Sequence, residues 1–192
     1  QKPSVVIDAM NDYYSNSNAN VHRAVHTLAG EATEGYESCR RELKSRFNAT
    51  RAIITSGTTE AINLVAHAWG RANLVDGDAI ILTEMEHHSD IVPWQMLAQE
   101  MNIELRYVPV QKDLTLDMEL FEAAIKGAKL VCVVHISNVL GVCNPVERIV
   151  KIAKQNGAKV LLDAAQSAPH QDIDFGELGA DFMAFSAHKM CG

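Results

Sequence analysis

Short apolar runs alternate with amphipathic segments along the chain, and this alternation restricts the possible folds more than any other feature of the sequence. The runs have the length and composition of β-strands, and several of the segments between them have helical periodicity. Strands that alternate with helices are typical of a parallel sheet covered by helices. We therefore expect an α/β fold with three layers, α/β/α, and a mostly parallel central sheet. The predicted strands span residues 51–55, 78–83, 103–108, 130–137, 159–163 and 181–186.

The same periodicity predicts the helices and a division of the chain. A polar segment at residues 15–20 is expected to be a loop. Residues 1–50 are expected to form an N-terminal helical segment, and residues 51–192 a large domain that contains the sheet. The predicted helices span residues 3–14, 27–47, 57–69, 92–101, 117–126 and 145–156.

The composition argues against several classes of function. The formal net charge is -7 and no stretch is rich in Lys and Arg, so general binding to nucleic acid is not expected. The longest apolar stretch, residues 130–136, is too short to cross a membrane. Four cysteines without CxxC spacing favour reduced thiols in the cytoplasm and give no indication of a structural metal: Cys39, Cys132, Cys143 and Cys191.

One candidate phosphate site follows the predicted strand 51–55. The run Ser56-Gly57-Thr58-Thr59-Glu60 begins a helix, where free backbone N–H groups and hydroxyls can bind a phosphate dianion. The alternative is an ordinary capped helix with a glutamate in its first turn. The run is neither a Walker P-loop nor a GxGxxG fingerprint, so it does not favour a nucleotide.

Two adjacent histidines, His87 and His88, follow the predicted strand 78–83. One imidazole could stack on a flat heteroaromatic ring, and the alternatives are a histidine in a surface loop and half of a metal site. His22 and His26 are one turn apart if their segment is helical, but no carboxylate or thiol completes a zinc site there. We therefore predict no metal ion.

Asp163 ends an apolar run that would bury its side chain unless the strand end opens into a site. Because an unpaired buried carboxylate is costly, it needs a partner, and a protonated pyridine nitrogen is a suitable one. The alternative is that Asp163 caps a helix at residues 164–167. Gln166 and Asn138 could each donate a hydrogen bond to a phenolate oxygen of such a ring, although Asn138 could also belong only to the turn before Gly141.

Lys189 directly follows the last predicted strand and has possible hydrogen-bond donors, Ser186 and His188, close to it in the chain. A lysine in this place can hold an aldehyde as a Schiff base, and the alternative is a solvated surface lysine. Asp163 at a strand end, followed by Lys189, predicts a site for pyridoxal phosphate.

Together these residues resemble the class V aminotransferase family of pyridoxal phosphate enzymes, in which such residues follow the same order. Over essentially the whole chain the sequence is similar, more narrowly, to the SufS/CsdA cysteine desulfurases. The resemblance rests on Thr59, His87, Asp163, Gln166 and Ser186-x-His188-Lys189, and on three longer runs, Asn20-Val21-His22-Arg23-Ala24-Val25-His26-Thr27-Leu28, Ser56 to Ala66 and Glu86 to Gln95.

The resemblance implies a role for each matching residue. Lys189 would bind the cofactor covalently and then shuttle protons, and His87 would stack on the pyridine ring and act in acid/base steps. Asp163 would pair with the ring nitrogen, Gln166 would contact the phenolate oxygen, and Asn138 would lie near that oxygen and the substrate carboxylate. The phosphate would be held by Thr59, Ser186 and His188, with the backbone at Thr58.

The implied reaction converts L-cysteine to L-alanine and leaves the sulfur as a persulfide, which a sulfur-acceptor protein carries to iron–sulfur cluster assembly. Family members are homodimers, and their sulfur-accepting cysteine and substrate-binding arginines lie in a second half beyond Gly192. The domain 51–192 would then be incomplete and the chain inactive alone. Alternatives are a selenocysteine lyase acting on L-selenocysteine, a kynureninase or another class V enzyme, and a catalytically inactive α/β fragment.

Overall fold

The computed structural model describes residues 2–23 and 25–192. Gln1, the first residue of the predicted segment 1–50, and Ala24, part of the run that begins at Asn20, lie outside the described residues. The described chain divides into two compact units. One comprises the residues up to Ile54 together with Ala187–Gly192, and the other comprises Thr55–Ser186.

The first unit is helical. Its elements are α1 (Ser4–Asp12), which continues into a π-helical turn (Tyr13–Ser17), α2 (Thr27–Arg46) and a short 3-10 helix (Ala187–Lys189). The helix therefore extends into part of the segment that was predicted to be a loop. His26 Nδ1 accepts the N–H of Ala29 at the start of α2, and His22 Nε2 lies 3.2 Å from Glu37 Oε1.

The predicted strand at residues 51–55 is wrong. In the described part of the chain, no strand pairs with these residues. Arg40 of α2 instead binds this segment, because its Nε donates to the carbonyl of Ala52 at 2.9 Å. An isolated apolar run does not form a strand without a neighbour for its backbone groups, and Ile53 is accordingly 69% exposed.

The second unit contains a sheet of five strands among the described residues, and every pair in it is parallel. Its strand order is β2-β1-β3-β4-β5. The predicted parallel α/β fold is therefore confirmed, with strand boundaries a few residues shorter than expected at some ends. The strands are β1 (Ala79–Thr83), β2 (Glu104–Val108), β3 (Ala128–Val134), β4 (Lys159–Asp163) and β5 (Phe182–Ala184).

Helices connect these strands. Helix α3 (Thr58–Leu64) continues through a π-helical turn (Val65–Gly70) into α4 (Arg71–Asn73), and a 3-10 turn (His88–Asp90) precedes α5. Right-handed crossovers place α5 on one face of the sheet and α6 and α7 on the other, because the chain moves in opposite directions from β1 and from β2. The remaining helices are α5 (Val92–Met101), α6 (Met118–Ala124), α7 (Val146–Gln155) and α8 (Phe175–Leu178).

The sheet is buried on both faces, as the continuous apolar composition of its strands predicts. On one face, alternate strand residues pack with α3 and α5 in a cluster whose large and completely buried members are Ile62, Ile80, Leu82, Trp94, Leu130 and Leu161. The intervening strand residues, such as Val131 and Leu162, are buried on the opposite face, where Ile149 and Val150 of α7 are buried as well. These faces give the expected three layers.

The strand order reverses direction between β1 and β3. The chain leaves β1 towards β2 on one side and later returns to β3 on the other side of β1. In open α/β sheets, ligands bind beyond the carboxyl ends of the strands at such a reversal. Separately, the helices of the described residues are all too short or too polar to cross a bilayer.

Candidate active site

The loops that leave the carboxyl ends of β1, β3, β4 and β5 carry most of the predicted site residues. His87 follows β1, Asn138 follows β3, Asp163 and Gln166 lie at the end of β4 and just beyond it, and Ser186 follows β5. Because neighbouring strands are parallel, these loops leave the same edge of the sheet. The fold thus brings together side chains that are up to about a hundred positions apart in the chain.

Ser186 joins the start of α3 to this edge. Its Oγ accepts a hydrogen bond from the Thr58 N–H at 2.9 Å and lies 2.6 Å from Thr58 Oγ1. Gly57, just before the helix, has φ +150°, which side-chain-bearing residues rarely adopt, and a Cβ there would lie 3.3 Å from Ser186 Oγ. Two buried hydroxyls and the first turn of a helix therefore form one compact polar group.

The start of α3 has the capping interaction that the sequence allowed, and the phosphate site stays a prediction. The Glu60 carboxylate accepts the backbone N–H of Ser56, which is the capping arrangement, and this hydrogen bond lowers the pKa of Glu60. Thr59 is exposed beside it. The first-turn N–H groups of Thr59 and Glu60 have no intrahelical acceptor by the geometry of an α-helix, so they are available to an anion.

The imidazole of His87 is held in one orientation. Its Nδ1 lies 2.7 Å from Ser89 Oγ and accepts the Ser89 backbone N–H at 3.2 Å. Since a backbone N–H can only donate, Nδ1 is an acceptor and the proton of the neutral ring is on Nε2. The ring of His88 lies against it, with centroids 4.0 Å apart and a tilt of 32°. His87 is half-buried and His88 is exposed.

Asp163 is buried, with 2% of its surface exposed, at the last position of β4. Its Oδ1 accepts the N–H of Ala165 at 2.8 Å, so the capping interaction that the sequence allowed is present in a turn. Its backbone carbonyl accepts from the His135 N–H at 2.9 Å, beyond the end of β3. Gln166 is half-buried in the turn that follows.

Asn138 lies in a tight loop beyond β3. Ser137 Oγ accepts the N–H groups of Val139 and Leu140, and the Ser137 carbonyl accepts the N–H of Gly141 at 3.0 Å. Asn138 is exposed within this loop. It is therefore part of the turn before Gly141 and also lies at the edge of the sheet that carries the other residues.

His188 and Lys189 belong to the first unit. Both are exposed in the 3-10 helix Ala187–Lys189. The Ala187 carbonyl accepts the N–H of Met190 at 2.8 Å and that of Gly192 at 2.9 Å, which closes the end of this segment into a compact turn. Lys189 is the third residue after Ser186 in the sequence.

Two further acidic residues near His87 were missed by sequence reasoning. Glu86 has 7% of its surface exposed and Asp90 has none. Thr83 Oγ1 donates to Glu86 Oε1 at 2.6 Å, and Trp94 Nε1 donates to Asp90 Oδ1 at 2.9 Å. A loop rich in charged residues indicates exposure; the spacing of Asp90 and Trp94, one helical turn apart, was the signal of a buried acceptor and donor.

Burial raises the pKa of Glu86, Asp90 and the nearby Cys132 thiol. Desolvation and the nearby charge of Asp90 raise the pKa of Glu86 well above its usual range. Desolvation also raises the pKa of Asp90, against the lowering effect of the Trp94 hydrogen bond. The pKa of the buried Cys132 thiol is raised by desolvation and by both acids, so this thiol is a poor nucleophile.

The other thiols and the possible metal ligands are dispersed. Cys39, Cys143 and Cys191 are exposed free thiols. Within residues 2–23 and 25–192, no group of three or more His, Cys, Asp or Glu side chains has the arrangement of a metal site.

Comparison with known proteins identifies the family. The aminotransferase class-V family model matches residues 1–192. A probable cysteine desulfurase of Halalkalibacterium halodurans is 53% identical over all of this chain. The chain belongs to the aminotransferase class-V family. The relatives that the chain resembles indicate that this is a family of pyridoxal phosphate-dependent enzymes.

Solved structures agree with this assignment. The apo structure of the cysteine desulfurase from Thermococcus onnurineus NA1 superposes with a TM-score of 0.92 at 44% identity, over 98% of this chain and 48% of that one. The cysteine desulfurase CsdA from Escherichia coli gives a TM-score of 0.88 at 36% identity, over 100% of this chain and 49% of that one. The chain spans about half the length of the curated relatives that it matches, including 48% of the Halalkalibacterium protein.

Proposed function

We propose that the whole protein is a cysteine desulfurase that uses pyridoxal phosphate and belongs to the SufS/CsdA type. The observation that carries the proposal is the placement of His87, Asp163 and the Thr58–Ser186 pair at one edge of a sheet. The 53% identity to a probable cysteine desulfurase supports the choice of substrate. The domain boundary at residue 51, a cytoplasmic location and a homodimer are parts of the same proposal.

The donor set at this edge fits the chemistry of the cofactor. Asp163 is a buried carboxylate able to pair with a protonated ring nitrogen, and its Oδ1 is already held by the Ala165 N–H. The hydroxyls of Thr58 and Ser186 and the start of α3 suit a phosphate dianion. When bound, the cofactor would supply an aldehyde that reacts with amines and a protonated ring that accepts electrons.

The chain's own residues would then hold the ring and move protons. His87, with Nδ1 fixed by Ser89, presents the Nε2 side of its ring for stacking and proton transfer. Gln166 and Asn138 would donate hydrogen bonds near the phenolate oxygen. Lys189 Nζ would bind the aldehyde carbon and, once displaced by the substrate amine, would accept and return a proton at Nζ.

The phosphate would lie against the start of α3. Thr59, Ser186 and His188 would donate to it together with the backbone at Thr58. Ser186 therefore has two functions, because it also closes the start of α3 onto the sheet. Loss of its hydroxyl is expected to affect both folding and cofactor binding.

In the proposed reaction the carbon–sulfur bond of L-cysteine breaks. An enzyme thiolate takes the sulfur atom as a persulfide, and the proton of the substrate thiol ends on carbon to give L-alanine. None of Cys39, Cys132, Cys143 and Cys191 is assigned as that thiolate. We propose that the accepting thiol and the arginines that bind the substrate carboxylate lie outside this chain, and that an acceptor protein takes the sulfur to iron–sulfur cluster assembly.

The proposal is tested on the full-length protein with added pyridoxal phosphate. We expect a visible absorbance band and, after borohydride reduction, a permanent gain in protein mass that K189A abolishes and the control K154A retains. L-Cysteine should then yield L-alanine faster than L-selenocysteine or L-kynurenine yields its product. Failure to retain the cofactor would overturn the whole proposal, whereas a faster reaction with L-selenocysteine or L-kynurenine would overturn only the substrate.

A further inference from the structure

Glu86 and Asp90 are buried acids that the proposed reaction does not use. They lie on either side of His87 in the loop between β1 and α5. Glu86 Oε1 is bonded to Thr83, the last residue of β1, and Asp90 Oδ1 is bonded to Trp94 of α5. Each acid thus anchors one end of the segment that carries His87.

The second oxygen of each acid has no conventional donor. Among the residues that the structure describes, none donates to Glu86 Oε2 or to Asp90 Oδ2, although both atoms are fully buried. The two side chains nevertheless interact with each other. Two carboxylates would repel and leave both oxygens unsatisfied, whereas one proton between them would satisfy both through a single O–H···O hydrogen bond.

The surroundings favour the protonated pair. Asp163 at the end of β4 adds negative charge that raises the pKa of both acids, whereas hydrogen bonds with Trp94 and with the Cys132 thiol on β3 lower the pKa of Asp90. Hydrogen bonds from Thr83 and from the backbone of Val134 lower the pKa of Glu86. Desolvation is the largest influence on each acid, and it raises the pKa of both.

We propose that Glu86 and Asp90 share one proton at neutral pH and that this carboxyl pair is a positioning element for His87. The pair joins the end of β1 to the start of α5 and so fixes the path of the backbone between them. His87 is held within that path by Ser89. The shared proton does not depend on the proposed function. Only the role of the pair in positioning His87 rests on that function.

The proton has a measurable consequence that does not require the cofactor. A folded protein that retains a proton released by the unfolded chain is stabilised below the unfolded carboxyl pKa of about 4. That stabilisation is lost as the pH rises towards the folded value. In E86Q the amide donates to Asp90 without a titrating proton, and in D90N the amide donates to Glu86.

We would measure thermal unfolding of the cofactor-free full-length protein from pH 5 to pH 8. Relative to wild type, E86Q and D90N should gain stability as the pH rises, by up to about tenfold in the unfolding equilibrium constant per pH unit. The control E42Q changes an exposed carboxylate of α2 and should run parallel to wild type. Differences from wild type that stay constant across this range for both E86Q and D90N would overturn the shared proton.

Positioning is tested by the affinity for pyridoxal phosphate at pH 7. E86Q retains a hydrogen-bonding pair and should bind within about threefold of wild type, whereas E86A leaves Asp90 unpaired and should bind at least about tenfold more weakly. Equal affinity of E86A and wild type would refute the positioning role. If wild type itself binds no cofactor, the proposed function fails while the pH measurement still decides on the proton.

Discussion

Ser186 Oγ accepts the Thr58 backbone N–H at 2.9 Å across 128 positions of sequence. This hydrogen bond fastens the start of α3 to the segment that follows β5. Both side chains are buried, so the contact replaces water that the polar groups would otherwise bind. It makes the proposed phosphate site dependent on the assembled sheet, because neither residue alone defines it.

Substitution of Gly57 tests how closely this contact constrains the backbone. The change G57A should destabilise the protein by about 1–3 kcal/mol, because alanine disfavours φ +150° and its Cβ would crowd Ser186 Oγ. The control G35A, inside α2 with open space around it, should stabilise by about 0.5–1 kcal/mol. Urea unfolding of both variants measures the difference, and equal effects would contradict the packing described for Gly57.

Replacing each of the two histidines in turn distinguishes the role of His87, whose ring is held by Ser89, from that of His88. H87A should lower the rate of L-alanine formation by on the order of 10²–10⁴, because the group proposed to stack on the ring and move a proton is lost. H88A removes the exposed ring that lies 4.0 Å away and should have a much smaller effect. Steady-state kinetics of both variants decide the assignment, and a larger loss in H88A would reverse it.

Replacement of Asp163 by asparagine removes charge while it preserves shape. In D163N, an amide oxygen can still accept the Ala165 N–H, so we expect a folded protein. Its turnover should fall by at least about 10²-fold, because the carboxylate proposed to keep the ring protonated is gone. Circular dichroism and kcat are measured together. Normal turnover in a folded D163N would exclude this role.

Trp94 links helix packing to the buried acids. W94F should destabilise by about 2–4 kcal/mol, because it removes the donor to Asp90 Oδ1 and leaves a gap in the core. W69F is the matched control, since Trp69 is only partly buried and contacts Phe182 edge-on with its ring. Its cost should be less than half as large. Urea unfolding with the same slope for both variants makes the comparison valid.

Local pattern was sufficient for most of the elements. The run at 159–163 became β4 as predicted, because its three consecutive apolar residues, Val160 to Leu162, are buried on both faces of a central strand. The similar run at 51–55 did not become a strand, since pairing depends on a neighbour that a local pattern does not contain. The helix predicted to end before the loop at 15–20 also continued as a π-helical turn to Ser17.

The burial of Glu86 was not indicated by its segment, and that of Asp90 was indicated only by its spacing to Trp94. Charged residues in a short polar loop are normally solvated, and the hydrogen bonds to Thr83 and Trp94 are buried only because the sheet and α5 pack around this loop. The meeting of Thr58 with Ser186 is equally non-local. Both depend on which strands become neighbours.

The sequence by itself determined the alternation of strands and helices, the chemical types of the candidate residues and their order, because these depend on periodicity and on side-chain chemistry. The tertiary structure decided the strand order β2-β1-β3-β4-β5, which brings the loops after β1, β3, β4 and β5 to one edge. It also decided that Glu86 and Asp90 are buried next to each other. Such juxtapositions follow from long-range packing, which sums contributions from the whole sheet and is invisible to any local window of sequence.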